Sequence, residues 1–305
     1  MTSVNELLHM ATLLDPSLPR QPIDHRPRSY TSAPGSTYLL PADDSERIRL
    51  DVQHTSITRG FNDKLVLSPV TIQAGDKVLD SGAGSCSWTL DFADKVPSSV
   101  DLYAADVETK LFPAHPPDNI KLFRASVTDL PDEWTGSFQL THQRLLMSAL
   151  TSKEWPIALN ELFRVTKPGG WVELCEASPE LDCPAHHCHK ALQAPELAYT
   201  ASDHELQVAT LLPDWLREAR FTDVHSVEGK YPVGKWAGAD GEHARDGLVG
   251  FLRGLKTPIL NRGGLGFAST EEEYDAIIDD FERLCDETPN TFGKNYTIYA
   301  RKPDC

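Results

Sequence analysis

The stretch Lys77-Val78-Leu79-Asp80-Ser81-Gly82-Ala83-Gly84 decides the fold, because a short strand-like run leads directly into a glycine-rich turn. Glycine has no Cβ, so such a turn lets a ligand approach the backbone closely where the next helix begins. A dinucleotide fingerprint would need G-x-G-x-x-G, and this chain has Ser87 at the position of the third glycine. The acid Asp80 would also repel a pyrophosphate. The turn therefore favours a cofactor without phosphates.

Short apolar runs alternate with helical patterns from about Asp76 onward, which is typical of a mainly parallel sheet with helices on its faces. The patterns predict strands at 77–80, 99–106, 120–123, 138–142, 171–176, 221–227 and 296–300. They predict helices at 43–54, 154–165 and 211–220, a turn at 167–170, and a glycine-rich break at 262–266. Ser269 and Glu272 form a predicted capping box for one more helix.

Two polar positions after predicted strands favour an adenosine-containing cofactor. Asp106 ends the second strand, where a carboxylate can accept hydrogen bonds from both hydroxyls of a ribose. The turn after the third strand, around Ser126, is placed to edge an adenine with a polar side chain and a backbone N–H. Asp80 is placed to orient an ammonium group. Each acid alone is equally consistent with a solvated loop carboxylate, so the prediction depends on their joint spacing.

Composition narrows the choice of partners. The net charge of −16 disfavours a nucleic-acid partner, whose phosphates attract Lys and Arg. We expect no membrane partner either, because no apolar run approaches the roughly 20 residues that a spanning helix needs. The start of the chain lacks the pattern of a secretory signal, so we expect a cytoplasmic protein with free cysteines. The acidic charge is compatible with a small-molecule acceptor, which we expect as the substrate.

The segment Cys183-Pro184-Ala185-His186-His187-Cys188-His189 contains zinc-ligating side chains. Structural zinc sites usually draw their ligands from two separated segments, so we predict no metal site here. The alternatives are a polar wall of the pocket, a histidine base, or a surface loop. Whether His186, His187 or His189 reaches the pocket stays open.

Taken together, these residues resemble class I S-adenosylmethionine-dependent methyltransferases, and more closely the fungal LaeA-like group of secondary metabolism. The likeness extends over most of the chain. Its motifs lie at 38–54 (Y-x-L-P-x-D, then E, RLD and QH), 78–88 (V-L-D-x-G-x-G, then W), 142–144 (H-x-R), 167–173 (KPGGWVE) and 299–303. This chain departs from the family at Cys86, where the family has a third glycine, and at Ser126, where it has an acid.

The resemblance implies an α/β fold with a Rossmann-like, seven-stranded, mostly parallel sheet whose last strand is antiparallel. It further implies flanking helices and a helical insertion after the fifth strand, with S-adenosylmethionine at the carboxyl edge of the first strands. We expect an N-terminal arm at 1–35 and a single methyltransferase domain at 36–305, in which 177–220 and 237–290 are helical insertions on the substrate side.

The combined interpretation assigns two sets of site residues. The expected cofactor-binding residues are Tyr38, Asp80, Gly82, Gly84, Asp106, Val107, Ser126, Val127 and His142. His54 and Arg144 are expected on the substrate side, in catalytic roles. For a histidine or arginine at a strand end, the alternative is a structural role in capping backbone carbonyls.

The leading functional hypothesis is methyl transfer to an oxygen or nitrogen of a small secondary metabolite. One alternative is a regulatory protein that acts through partner proteins. Another is a methyltransferase fold reused for a pericyclic or other rearrangement, since fold alone does not fix chemistry.

Overall fold

The computed structural model describes residues 38–184 and 189–304, so the predicted arm at 1–35 lies outside the described residues, as do His186 and His187. The strands are β1 Lys77–Ser81, β2 Asp101–Asp106, β3 Ile120–Arg124, β4 Phe138–Arg144, β5 Thr166–Ala177, β6 Thr222–Pro232 and β7 Phe292–Arg301. The helices are α1 Asp44–Gly60, α2 Ser87–Ala93, α3 Glu154–Val165, α4 His189–Thr200, α5 Val208–Glu218, α6 Gly238–Gly254, α7 Lys256–Leu260 and α8 Glu271–Glu287.

The strands form one seven-stranded sheet in the order β3-β2-β1-β4-β5-β7-β6. Strands β1 to β5 pair in parallel, and β7 is antiparallel to both β5 and β6. The predicted Rossmann-like sheet with an antiparallel last strand is confirmed. Because the strand order reverses between β1 and β4, a crevice forms at their carboxyl ends, where open α/β sheets bind ligands.

Helix α1 and the segment before it cover this edge of the sheet. Leu39 and Leu40 belong to the large core cluster that also contains Val249 and Leu252 of α6. Helix α1 itself packs against α6. None of the described helices is long and apolar enough to cross a membrane.

The predicted turn at 167–170 was wrong, because the segment is a bulge inside β5. The register between β4 and β5 shifts between Phe138 and Leu140. Gly169 adopts a φ of 75°, and its N–H donates to the carbonyl of Lys302 at 3.0 Å. Lys302, which follows β7, therefore forms hydrogen bonds with backbone groups of this segment that would face water in an exposed turn, so the segment remains part of β5.

The predicted capping box was wrong by one residue. Thr270 is the N-cap of α8, and its side chain accepts from the Glu273 N–H at 3.2 Å. Glu273 in turn accepts from the Ser269 N–H at 2.7 Å. The first bond is that of a capping box, whereas the second goes to the residue before the N-cap and not to the Thr270 N–H.

Glu173 on β5 fastens the segment that connects α1 to β1. Its buried carboxylate accepts from the Leu67 N–H at 3.1 Å and from the Ser68 N–H at 2.9 Å. We expect Glu173→Gln to lower the free energy of unfolding by about 1–3 kcal/mol, because the amide NH₂ would face these donors. Urea denaturation measures the change, with Glu218→Gln at an exposed position of α5 as the control. Equal stability of the two variants would refute the role of Glu173.

Candidate active site

A cavity of about 870 Å³ lies at the carboxyl edge of the sheet, beneath α1. Its walls come from the glycine turn at 82–85, the segments that follow β2, β3 and β4, and helices α1, α4 and α6. The strand ends that the sequence analysis singled out therefore meet around one space.

Asp106 braces the glycine turn at one end of the cavity. Its Oδ2 accepts from the Gly84 N–H at 2.8 Å, and its Oδ1 accepts from the Glu108 N–H at 2.9 Å. Burial raises the pKa of Asp106 to about 6. Each carboxylate oxygen has two lone pairs, so Asp106 can accept further hydrogen bonds from a ligand in the cavity that it lines.

Gly82 adopts a backbone conformation that favours glycine. Its φ is 69°, and a Cβ at this position would lie 2.7 Å from Cδ2 of Leu146. Leu146 begins a short 3₁₀ turn, Leu146–Ser148, that also lines the cavity. A larger residue at position 82 would therefore adopt a strained φ and would also have to displace the Leu146 side chain.

Asp80 and His142 lie behind the glycine turn and do not line the cavity. Asp80 accepts from Thr89 Oγ1 at 2.5 Å through Oδ2, and its Oδ1 is 2.9 Å from His142 Nδ1. The His142 ring stacks on Trp88, with ring centroids 3.8 Å apart. This buried group joins β1, β4 and α2. Direct contact of either residue with a cofactor stays a prediction.

Cys86, which stands where the resembling family has glycine, has the backbone of a left-handed residue. It precedes α2 with a φ of 62°, and its side chain is fully buried. A Cβ in this conformation costs roughly 1–2 kcal/mol. The turn therefore keeps the glycine conformation although the residue has changed.

This strain predicts that Cys86→Gly is about 1 kcal/mol more stable than Cys86→Ala, because both variants lose the sulfur and only glycine loses the strain. Urea denaturation gives the difference. The control is Thr55, exposed in α1, where alanine should exceed glycine in stability by about 1 kcal/mol. If alanine is more stable than glycine at position 86 as well as at position 55, Cys86 is not strained.

Arg144, at the end of β4, lines the cavity and is held from behind by His54. Arg144 Nη1 is 2.9 Å from His54 Nδ1, and His54 Nε2 is 3.2 Å from Asp91 Oδ2. Because a guanidinium only donates, Nδ1 must accept, and the His54 proton must sit on Nε2. Burial lowers the pKa of His54, which favours this neutral form. His54 itself does not line the cavity.

A buried ion pair in α1 lies over the same space. Arg49 donates to Glu46 through Nε at 2.9 Å and through Nη2 at 2.6 Å. Its Nη1 is buried and has no hydrogen-bond partner in the described part of the chain. Tyr38 also lines the cavity, and burial raises the pKa of its phenol. This part of the cavity therefore contains the neutral Glu46–Arg49 ion pair and one guanidinium nitrogen, Arg49 Nη1, that can donate to a ligand.

The other end of the cavity, towards β5 and β7, is mostly apolar. The apolar side chains there are Leu181, Leu192, Tyr231, Leu248 and Phe251. Polar side chains interrupt this wall, among them Gln193, Lys294 and Asn295. Asn295 on β7 has 1% of its surface exposed and an Oδ1 that finds no partner among the described residues. A side-chain amide in an apolar wall can orient a ligand through one or two hydrogen bonds.

The structure brings most of the predicted site residues to the cavity. Those that line it are Tyr38, Gly82, Gly84, Asp106, Val107, Ser126, Val127 and Arg144. The Ser126 hydroxyl is also 2.8 Å from that of Thr128. Sequence reasoning assigned no role to Arg49 or Asn295. The three-residue spacing of Glu46 and Arg49 in a predicted helix was a usable signal for their pairing, whereas Asn295 offered none.

The sequence is similar to that of several known proteins. A sequence profile described as a methyltransferase domain matches residues 78–170. The N-methyltransferase tcpN of Claviceps purpurea is 32% identical over 271 residues, which cover 85% of this chain and 94% of that protein. The N-methyltransferase gliN of Aspergillus fumigatus is 31% identical over 286 residues, with 87% and 96% covered. The secondary metabolism regulator laeA of Monascus pilosus is 29% identical over 243 residues, with 70% and 62% covered.

Proposed function

This chain belongs to the family of S-adenosylmethionine-dependent methyltransferases that includes these fungal N-methyltransferases, and we propose that it methylates a nitrogen or oxygen of a small, largely apolar secondary metabolite. The observation that carries the proposal is a single cavity with a glycine turn and Asp106 at one end and apolar walls at the other. Nitrogen is the favoured acceptor atom, because tcpN and gliN are N-methyltransferases.

S-adenosylmethionine fits the residues at the glycine turn. Gly82 and Gly84 line the cavity, and Asp106 has lone pairs for ribose hydroxyls. We assign the adenine edge to Ser126 and Val127, with Val107 beside them. When bound, S-adenosylmethionine supplies a methyl group on a positively charged sulfur. Asp80 and His142 then act from behind the turn, as positioning residues.

The chain contributes to transfer chiefly by placing the acceptor. Methyl transfer is an in-line displacement, so its rate depends strongly on the alignment of the reacting atoms. Helix α1 lines one side of the cavity, and the Asn295 amide offers hydrogen bonds that fix an acceptor in the apolar half. A general base is needed only if the acceptor atom carries a proton of high pKa.

The helices after β5 support a substrate role for the predicted insertions. Leu192 of α4 and both Leu248 and Phe251 of α6 line the apolar half of the cavity. We therefore propose that 177–220 and 237–290 shape the acceptor pocket. The cytoplasmic location and the absence of a nucleic-acid partner stay predictions.

The test is to incubate the full chain with methyl-labelled S-adenosylmethionine and fractionated fungal metabolite extracts. We expect label in a small molecule, on nitrogen or oxygen, and much less of it with Asp106→Ala at cofactor concentrations that saturate only the wild type. Label found only on a protein would favour the regulatory alternative. Conversion of a metabolite without cofactor consumption would favour a rearrangement.

A further inference from the structure

We propose that Arg144 binds the carboxylate of the methionine part of the cofactor, and that His54 and Asp91 hold its guanidinium in place for this contact. The inference rests on the proposed function, because it presupposes that S-adenosylmethionine binds at the glycine turn. It moves Arg144 from the substrate side, where the sequence analysis expected it, to the cofactor.

Arg144 differs from the other basic residues of the cavity wall in its ion pairing. The basic residues that line the cavity, within the described part of the chain, are Arg49, Arg144 and Lys294. Arg49 pairs with Glu46 at 2.6 Å, and Lys294 pairs with Asp182 at 3.6 Å. Arg144 has no carboxylate within 4.0 Å among the described residues, and burial lowers the pKa of its guanidinium. Its guanidinium is partly exposed to the cavity, and the nearby carboxylates of Asp80, Asp51 and Asp91 act on it only from beyond 4.0 Å, so an anionic ligand group has room to pair with it directly.

The guanidinium of Arg144 is held by one hydrogen bond from behind. Its one side-chain hydrogen bond within 38–184 and 189–304 is Nη1 to His54 Nδ1. The remaining N–H groups are left for a ligand, and a guanidinium can bind a carboxylate through two parallel hydrogen bonds. His54 is fixed in turn by Asp91, so the arginine is oriented before any ligand arrives.

Arg144 lies at the same level of the sheet as Gly82 and two strands away from Asp106. Ser81 of β1 is paired with Gln143 of β4, so Arg144 is level with Gly82. Strands β2 and β4 flank β1, which separates Asp106 from Arg144 by about 10 Å, two strand spacings. Ribose and carboxylate are the two ends of the cofactor's ribose–methionine part. A cofactor with its ribose at Asp106 therefore directs its carboxylate towards β4.

Arg49 is the competing candidate, and its own contacts argue against it. Glu46 occupies two of its nitrogen atoms and neutralises its charge, which leaves Nη1 as the one nitrogen of Arg49 without a partner in the described part of the chain. The N–H groups of an already neutralised pair suit an uncharged acceptor group better than a carboxylate. The geometry therefore points to Arg144 for the anion.

The experiment measures dissociation constants by calorimetry for S-adenosylhomocysteine and for its methyl ester, whose carboxyl group is uncharged. We expect the wild type to prefer the free acid. Arg144→Met should weaken binding of the acid roughly 10- to 100-fold and binding of the ester less than about 3-fold. Arg144→Lys keeps the charge without the fork and should fall between. The control is Arg217→Met, which removes an exposed arginine of α5 and should change neither constant.

Equal losses for both ligands in Arg144→Met would overturn the inference, because Arg144 would then support only the shape of the cavity. Unchanged affinity for the acid would overturn it too, and would leave Arg144 to the acceptor. If Arg144→Met does not fold, the wild type decides, since equal affinity for acid and ester contradicts a charged contact. Failure of the wild type to bind S-adenosylhomocysteine at all would instead refute the proposed function.

Discussion

Asp106→Ala is expected to weaken the binding of S-adenosylmethionine by about 100-fold, because hydrogen bonds to a charged group are worth about 1.5–3 kcal/mol each. The variant removes the acceptor for the ribose and also the brace on the Gly84 N–H. Calorimetry with the full chain measures the loss. Asp101→Ala is the matched control, because Asp101 begins the same strand at the far end and its carboxylate pairs with Lys121 at the surface. An affinity for Asp106→Ala within about 3-fold of the wild type would refute the assignment.

The same carboxylate predicts a pH dependence of cofactor binding. Burial raises the pKa of Asp106 to about 6, so the group is charged above that pH and protonated below it. The charged form is the better acceptor for ribose hydroxyls. Cofactor affinity should therefore be constant above about pH 7 and should fall as the pH drops through about 6. In Asp106→Ala this step should be missing.

Glu46→Gln is expected to lower the free energy of unfolding by about 3–5 kcal/mol, because it leaves the Arg49 guanidinium buried without a counter-charge. Glu46 has none of its surface exposed, and Arg49 has 5% exposed. Urea denaturation of the full chain gives the value. Asp44→Asn provides the control, since Asp44 lies in the first turn of the same helix and its side chain is 93% exposed. If the two variants cost the same, the pair does not stabilise this part of the fold.

Replacing both partners tests the cause of that loss. The double variant Glu46→Leu/Arg49→Met removes the buried charge and keeps an apolar side chain at each position. We expect it to recover most of the stability lost in Glu46→Gln, since apolar replacement of a buried pair is often neutral or better. No recovery would mean that Glu46 stabilises the fold through contacts other than Arg49.

The fold followed from local patterns in the sequence, and the errors in it have a common origin. The strands were predictable because each apolar run is short and bounded by turn residues. The bulge at Gly169 was not, because the hydrogen bonds that keep the segment in β5 come from Lys302, far away in the sequence. Glycine-rich turns and glycine-rich bulges look alike until the neighbouring strand is known.

The site was predictable as far as positions along strands determine it. Asp106 and Arg144 end their strands and line the cavity. His142 also precedes a strand end, but Trp88 of α2 stacks on its ring and removes it from the cavity. Trp88 belongs to the motif at 78–88, but the motif does not show which side chain its ring packs against. Asn295 likewise belongs to the cavity only because β7 inserts between β5 and β6.

A crystal structure of the full chain with S-adenosylhomocysteine tests the central claim most directly, because it locates the ligand in the cavity without any activity assay. The account predicts ribose hydroxyls on the Asp106 carboxylate, the sulfur above the turn at 82–84, and open space beside the sulfur towards Leu192 and Leu248. A ligand bound outside this cavity, or one whose sulfur is walled off from the apolar half, would contradict it.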